Sequence, residues 1–188
     1  TKAYIGPLFP GIFKKLSHLE HIYTSFPEGK IRRANVEIGG KDAKQLEEEL
    51  VKAGYRISDY AKHMLNSKDF TTSKKPEQIK TVRLKVRDLF SDNFLHTTDD
   101  IYKKAEEMGL ELCPAEVGPQ YRLQYTNQPM NEWFRIAMKQ ISDSDRDPHV
   151  FGLERTSDGV WLHDGWAKPA RKWDPDDEFV FRLSSSRK

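Results

Sequence analysis

Cys113 is the strongest intrinsic nucleophile in the chain, and as a thiolate it would attack a carbonyl or phosphoryl centre beside a histidine or a positive helix end. Its surroundings point elsewhere. It follows the C-terminal end of a predicted helix, where the dipole opposes negative charge, and Leu110 and Leu112 mark the start of a buried strand. Glu116 is the next candidate, an isolated carboxylate in the connection CPAEVGP, where a fixed acid could act as a general base. With Glu116 or His163 as the base and Arg122 as an anion-stabilising group, one reading of the chain is a hydrolase or transferase.

Metal chemistry has two candidates. His18 and His21 stand at i,i+3 on a predicted helix over residues 12–23, but two ligands do not define a zinc site, and the HExxH spacing is absent. Asp143, Asp145, Asp147 and Glu154 occupy positions 1, 3, 5 and 12 of a calcium-loop pattern. Position 6 is Pro148, which cannot reach the positive φ that the sharp turn demands, so the segment reads as an acidic turn. The glycine-rich phosphate loops GxGxxG and GxxxxGK[ST] and the GxSxG elbow are also missing. The expectation is a protein with no metal and no cofactor.

Two surfaces suggest binding. All four tryptophans, Trp133, Trp161, Trp166 and Trp173, fall in the C-terminal third. Trp133, Trp161 and Trp166, with Arg122, Gln124, Gln128 and His163, supply the flat walls and orienting polar groups of a ligand site, with core filling as the rival explanation. Separately, Arg83, Lys85 and Arg87 share one face of a predicted strand and would suit phosphate contacts to a nucleic acid, or merely keep an exposed face soluble. The leading expectation is a non-enzymatic domain that takes a small polar ligand or a protein segment on a Trp-rich sheet surface. The enzyme and nucleic-acid readings stand as alternatives.

These residues must be positioned by a mixture of elements. Residues 31–38 and 79–87 read as strands. Asp42 with Gln45, Ser58, and Thr97 or Thr98 are N-cap signals for three helices, and Gly54 and Gly109 stop two of them. From Tyr121 onward Leu123 and Tyr125, then Phe134, Ile136 and Met138, alternate with polar residues in strand fashion, and Asp158-Gly159 signals a hairpin. The resulting expectation is an α+β chain. A helical N-terminal part with one or two strands (1–112) is followed by an antiparallel sheet of about five strands (113–188), the two packed as one unit.

Composition bounds the rest. The chain has 188 residues, 37% of them hydrophobic and 32% charged, which places it among folded and well-solvated chains. A single cysteine precludes an internal disulfide and a Cys-rich zinc site, which fits a reducing, cytoplasmic setting. No apolar run reaches membrane-span length, and the opening residues lack the order of a signal peptide, so no membrane partner is expected. Residues 1–90 carry 18 Lys/Arg against 11 Asp/Glu, whereas residues 91–188 carry 13 against 18. That asymmetry would either draw the two parts together or steer an acidic partner.

Overall fold

The computed structural model describes residues 32–143 and 145–183; the predicted helix over residues 12–23, with His18 and His21, lies outside them. In chain order the described elements are β1 (Arg32–Ile38), α1 (Ala43–Lys52), β2 (Arg56–Ile57), α2 (Asp59–Leu65), β3 (Glu77–Lys85), α3 (Val86–Phe90), β4 (His96–Thr97) and α4 (Thr98–Glu107). They continue through β5 (Leu110–Glu111), α5 (Val117–Gln124), β6 (Trp133–Ile136), β7 (Ile141–Ser142), β8 (Pro148–Thr156), β9 (Gly159–Trp166), β10 (Lys172–Trp173) and β11 (Glu178–Leu183).

This order overturns the expected helical part followed by a five-stranded sheet. Helices and strands interleave throughout, and one nine-stranded half-barrel sheet draws on the whole described chain. Its path is β1-β3-β11-β6-β8-β9-β2, with β5 beside β11 and β7 beside β8. The last strand, β11, runs antiparallel to β3 and parallel to β6, so it joins the early strands to the late ones. Short β2 adds a second parallel pair, to β9. Side-chain alternation identifies a strand but says nothing about its partner, which is why the insertion of β11 was not foreseen.

A second correction concerns residues 121–125, whose alternation suggested a strand. Residues 121–124 belong to α5, a helix that begins within the CPAEVGP connection, and Tyr125 is its C-cap. Pro119 sits at its third position, where the missing N–H has no helical acceptor to lose. Gly118 lets the helix lie against the sheet: a Cβ there would be 2.6 Å from the Phe151 Cβ. The N-cap signals hold elsewhere. Asp42 and Gln45 form a reciprocal capping box, Thr97 and Asp100 form another, and Ser58 accepts from the Ala61 N–H.

The half-barrel has two surfaces. One carries Val36, Ile79, Phe134, Ile136, Phe151, Leu153 and Leu162 and is packed by α1, α2 and α5. The other carries Val82, Leu84, Phe179 and Phe181 beneath α3, α4 and Trp173, whose ring meets Phe179 edge-on at 5.0 Å and whose indole N–H donates to the Thr98 hydroxyl. Each of these fully buried phenylalanines stabilises the fold by roughly 1.5–3 kcal/mol. None of the described helices is long and apolar enough to cross a membrane.

Candidate functional site

Beyond α3 and α4 the second surface continues over β6, β8 and β9, and its side chains change character. In register, Trp133 on β6 faces Glu154 on β8, which faces Trp161 on β9, which faces Arg56 on β2. Two tryptophans therefore flank a carboxylate in one cross-strand row, about 9.5 Å apart by strand spacing. Trp133 is 39% exposed, and Trp161, Glu154 and His163 are half-buried. The adjacent row is Arg135, Gly152 and His163.

Arg135 lies flat along this surface, and two glycines make room for it. A Cβ on Gly165 would stand 2.5 Å from the Arg135 Nε, and one on Gly152 would stand 2.9 Å from its Nη1. Its guanidinium carbon sits 4.8 Å from the Trp133 ring centre, a cation–π contact. Burial pulls its pKa below the usual arginine value, against the pull of Glu154, Asp177 and Asp164. Among the described residues its buried Nε has no hydrogen-bond partner, a local cost of packing the side chain against Gly165.

Two further groups complete the surface. The His163 Nδ1 lies 2.9 Å from the Asp164 carbonyl, and its Nε2 lies 3.9 Å from a Glu154 oxygen. Arg56 stacks 4.2 Å from the Trp161 ring centre while pairing with Asp158 at 3.1 Å. Beside it opens a depression of about 540 Å³ lined by Arg56, Ile57, Ser58, Asp59 and Trp161. The surface thus combines flat apolar rings with a guanidinium, a carboxylate and an imidazole.

Of the ligand residues expected from sequence, Trp133, Trp161 and His163 come together here. Arg122, Gln124 and Gln128 do not join them. Arg122 is buried under α5, bonded to the Gln128 side chain and the Tyr125 carbonyl, and its guanidinium lies 4.9 Å from the Tyr55 ring centre; burial lowers its pKa to about 10. Gln128 in turn donates to the Glu132 carbonyl, so the pair fixes the chain between α5 and β6. Gln124 bonds both backbone groups of Glu37 at the outer edge of β1, beside a groove of about 510 Å³. Trp166 points to the opposite surface from Trp161 and carries Lys168 at 4.4 Å from its ring centre.

The other sequence candidates are engaged structurally. Glu116 is buried, and its two oxygens accept from the Gly39 and Ser73 N–H groups, which ties two loops to the start of α5. Among the described residues, no hydrogen bond or ion pair links Glu116, His163 and Arg122 to one another. Arg83 is buried rather than aligned with an exposed basic stripe; it pairs with Glu132 at 2.8 Å and Glu178 at 3.0 Å and lies over Phe134. Lys85 and Arg87 both pair with Asp176. The Cys113 thiol is buried, with its pKa raised by that burial.

The acidic segment uses its carboxylates internally as well. Asp143 accepts from the Asp145 and Asp147 N–H groups and from His149, whose other nitrogen meets Asp164 at 3.0 Å. Ser58, the cap of α2, donates to Asp164, and Tyr60 stacks on the His149 ring at 4.8 Å. Among the described residues no cluster of three His, Cys, Asp or Glu side chains is arranged to hold a metal ion.

Sequence reasoning missed Arg135, Glu154 as a surface group, Arg56 and the His149 cluster. For Arg135 a signal existed, since Gly152 and Gly165 interrupt strand patterns in which glycine marks close approach by another group. Taken together, the chain is a mixed α/β protein with buried aromatic and charged clusters. Comparison with protein-family models, with curated proteins and with solved structures gives no match.

Proposed function

We propose that the protein acts by binding a ligand across the open surface of β6, β8 and β9. The observation that carries this reading is the Trp133–Glu154–Trp161 row, which keeps two large aromatic rings at least partly in solvent on a rigid sheet. Lone exposed apolar side chains are ordinary, but paired rings beside a guanidinium, a carboxylate and an imidazole combine apolar area with directional polar groups, as ligand sites do. Among the described residues this surface pairs no nucleophile with a base, which favours recognition over catalysis as its role.

Thermal unfolding across a panel of sugars, nucleotides, amino acids and short peptides tests the proposal, because a ligand that binds only the folded state raises the melting temperature. The expected result is a saturable shift with at least one class that disappears in a Trp133→Ala, Trp161→Ala double variant. A shift of the same size in that variant would place the site elsewhere. A flat response across the panel would count against ligand binding.

A further inference from the structure

We infer that the ligand of this surface is a neutral carbohydrate chain lying along the Trp133–Glu154–Trp161 row, an inference that rests on the binding role proposed above. The first argument is spacing. Trp133 and Trp161 are separated by two strand spacings, about 9.5 Å, which is close to the length of two pyranose rings joined end to end. Indole rings at that separation stack against the C–H faces of alternate sugars, because the negative face of an aromatic ring attracts the polarised hydrogens of the sugar.

The second argument is the polar complement between and beside the rings. Glu154, between the two tryptophans, accepts from sugar hydroxyls. His163 stands in the adjacent row, its Nε2 3.9 Å from Glu154 and able to hydrogen-bond a hydroxyl. Arg135, whose guanidinium lies beside Trp133, supplies the donor side from a position fixed by Gly152 and Gly165. A vicinal diol presents donors and acceptors together, and this mixed set answers both.

The third argument is charge, which separates this ligand from the main alternatives. Along the two rows and their Arg56 end, Arg56 and Arg135 are balanced by Asp158 and Glu154. A nucleic-acid strand needs a succession of lysines or arginines for its phosphates, and a carboxylate centred between the stacking rings would repel it. An extended peptide gains most of its affinity from the edge of a sheet, whereas these groups stand on a sheet surface. The depression beside Trp161 lies at the Arg56 end of the row and lengthens the surface in the direction a chain would follow.

Isothermal titration of the full chain with soluble cello-, chito-, xylo- and malto-oligosaccharides, a heparin oligosaccharide and an oligothymidylate tests the assignment. Saturable binding of at least one neutral oligosaccharide is expected, weakened about tenfold or more by Trp133→Ala or by Glu154→Gln, and changing little with added salt. Trp133→Phe keeps a ring and should retain most of the affinity, which separates lost stacking from lost folding. Binding of heparin or oligothymidylate alone would overturn the neutral-carbohydrate assignment while leaving a binding surface in place. Sugar binding untouched by both Trp133→Ala and Glu154→Gln would overturn its location. Absence of binding by every probe, with no ligand found in the thermal panel either, would remove the assignment and the binding role together.

Discussion

Under α3 and α4 the second surface of the sheet presents Val82, Leu84, Phe179 and Phe181; along β6, β8 and β9 the same surface presents Trp133, Arg135, Glu154, Trp161 and His163. The backbone is equally regular in both regions. What differs is the cover, and the side chains follow it. Where helices exclude water, residues of pure hydrocarbon surface gain most from burial. Where they do not, a purely solvent-facing sheet would carry threonine, lysine and glutamate, yet this one also carries large rings. The open region therefore has the composition that the proposed binding role requires.

The comparison can be broken most severely on the covered side. Phe181→Ala should cost about 3–5 kcal/mol through lost transfer energy and the cavity left beneath the helices, read as a lowered denaturant midpoint with an unchanged slope. A smaller effect is expected from Gly165→Val, which forces Arg135 off its glycine floor and should destabilise by about 1–3 kcal/mol. In that variant ligand binding should fall as well, because the guanidinium no longer lies beside Trp133. Trp133→Ala sharpens the contrast from the open side: stability should change by less than about 1 kcal/mol, since the ring is already 39% exposed, while binding is lost. A large loss of stability there would mean that Trp133 is a core residue.

The smallest expected effect lies on the helix-facing surface and depends on pH. Burial pushes the Asp143 carboxyl up, but hydrogen bonds from the Asp147 N–H, His149 and the Asp145 N–H outweigh it and hold the pKa below the usual carboxylate range. The folded state then binds fewer protons than the unfolded chain. The resulting stabilisation is present above the unfolded value of about 3.9 and is lost as pH falls through the folded pKa. Asp143→Asn should flatten that part of the acid limb, measured by thermal unfolding from neutral to strongly acidic pH. An unaltered acid limb would show that other carboxylates control it.

Local chemistry made part of this fold legible in the sequence. The caps at Asp42, Ser58 and Thr97 depend on atoms within three residues, and the β8–β9 hairpin depends on the turn it encloses, which the structure places at Ser157-Asp158 with Thr156 paired to Gly159. The position of β11 between β3 and β6 depends instead on contacts across much of the chain. Arg122 reads as a surface cation until Tyr55, far away in sequence, closes over it. The same holds for Arg83, whose carboxylate partners come from the chain before β6 and from β11. Trp133, Trp161 and His163 lie on one surface because β6 pairs with β8 and β8 with β9. Tryptophan clustering in sequence misplaced Trp166 relative to them, since Trp166 lies one step out of phase on the pleat.

Gln124 gives the sheet edge another property. By donating to the Glu37 carbonyl and accepting from its N–H, this side chain copies the two bonds that a neighbouring strand would make. At Glu37 the template for adding a foreign strand is already filled from within. Self-association through that edge would first have to evict an amide from α5, so the helix that closes the fold also lowers its tendency to grow into fibres.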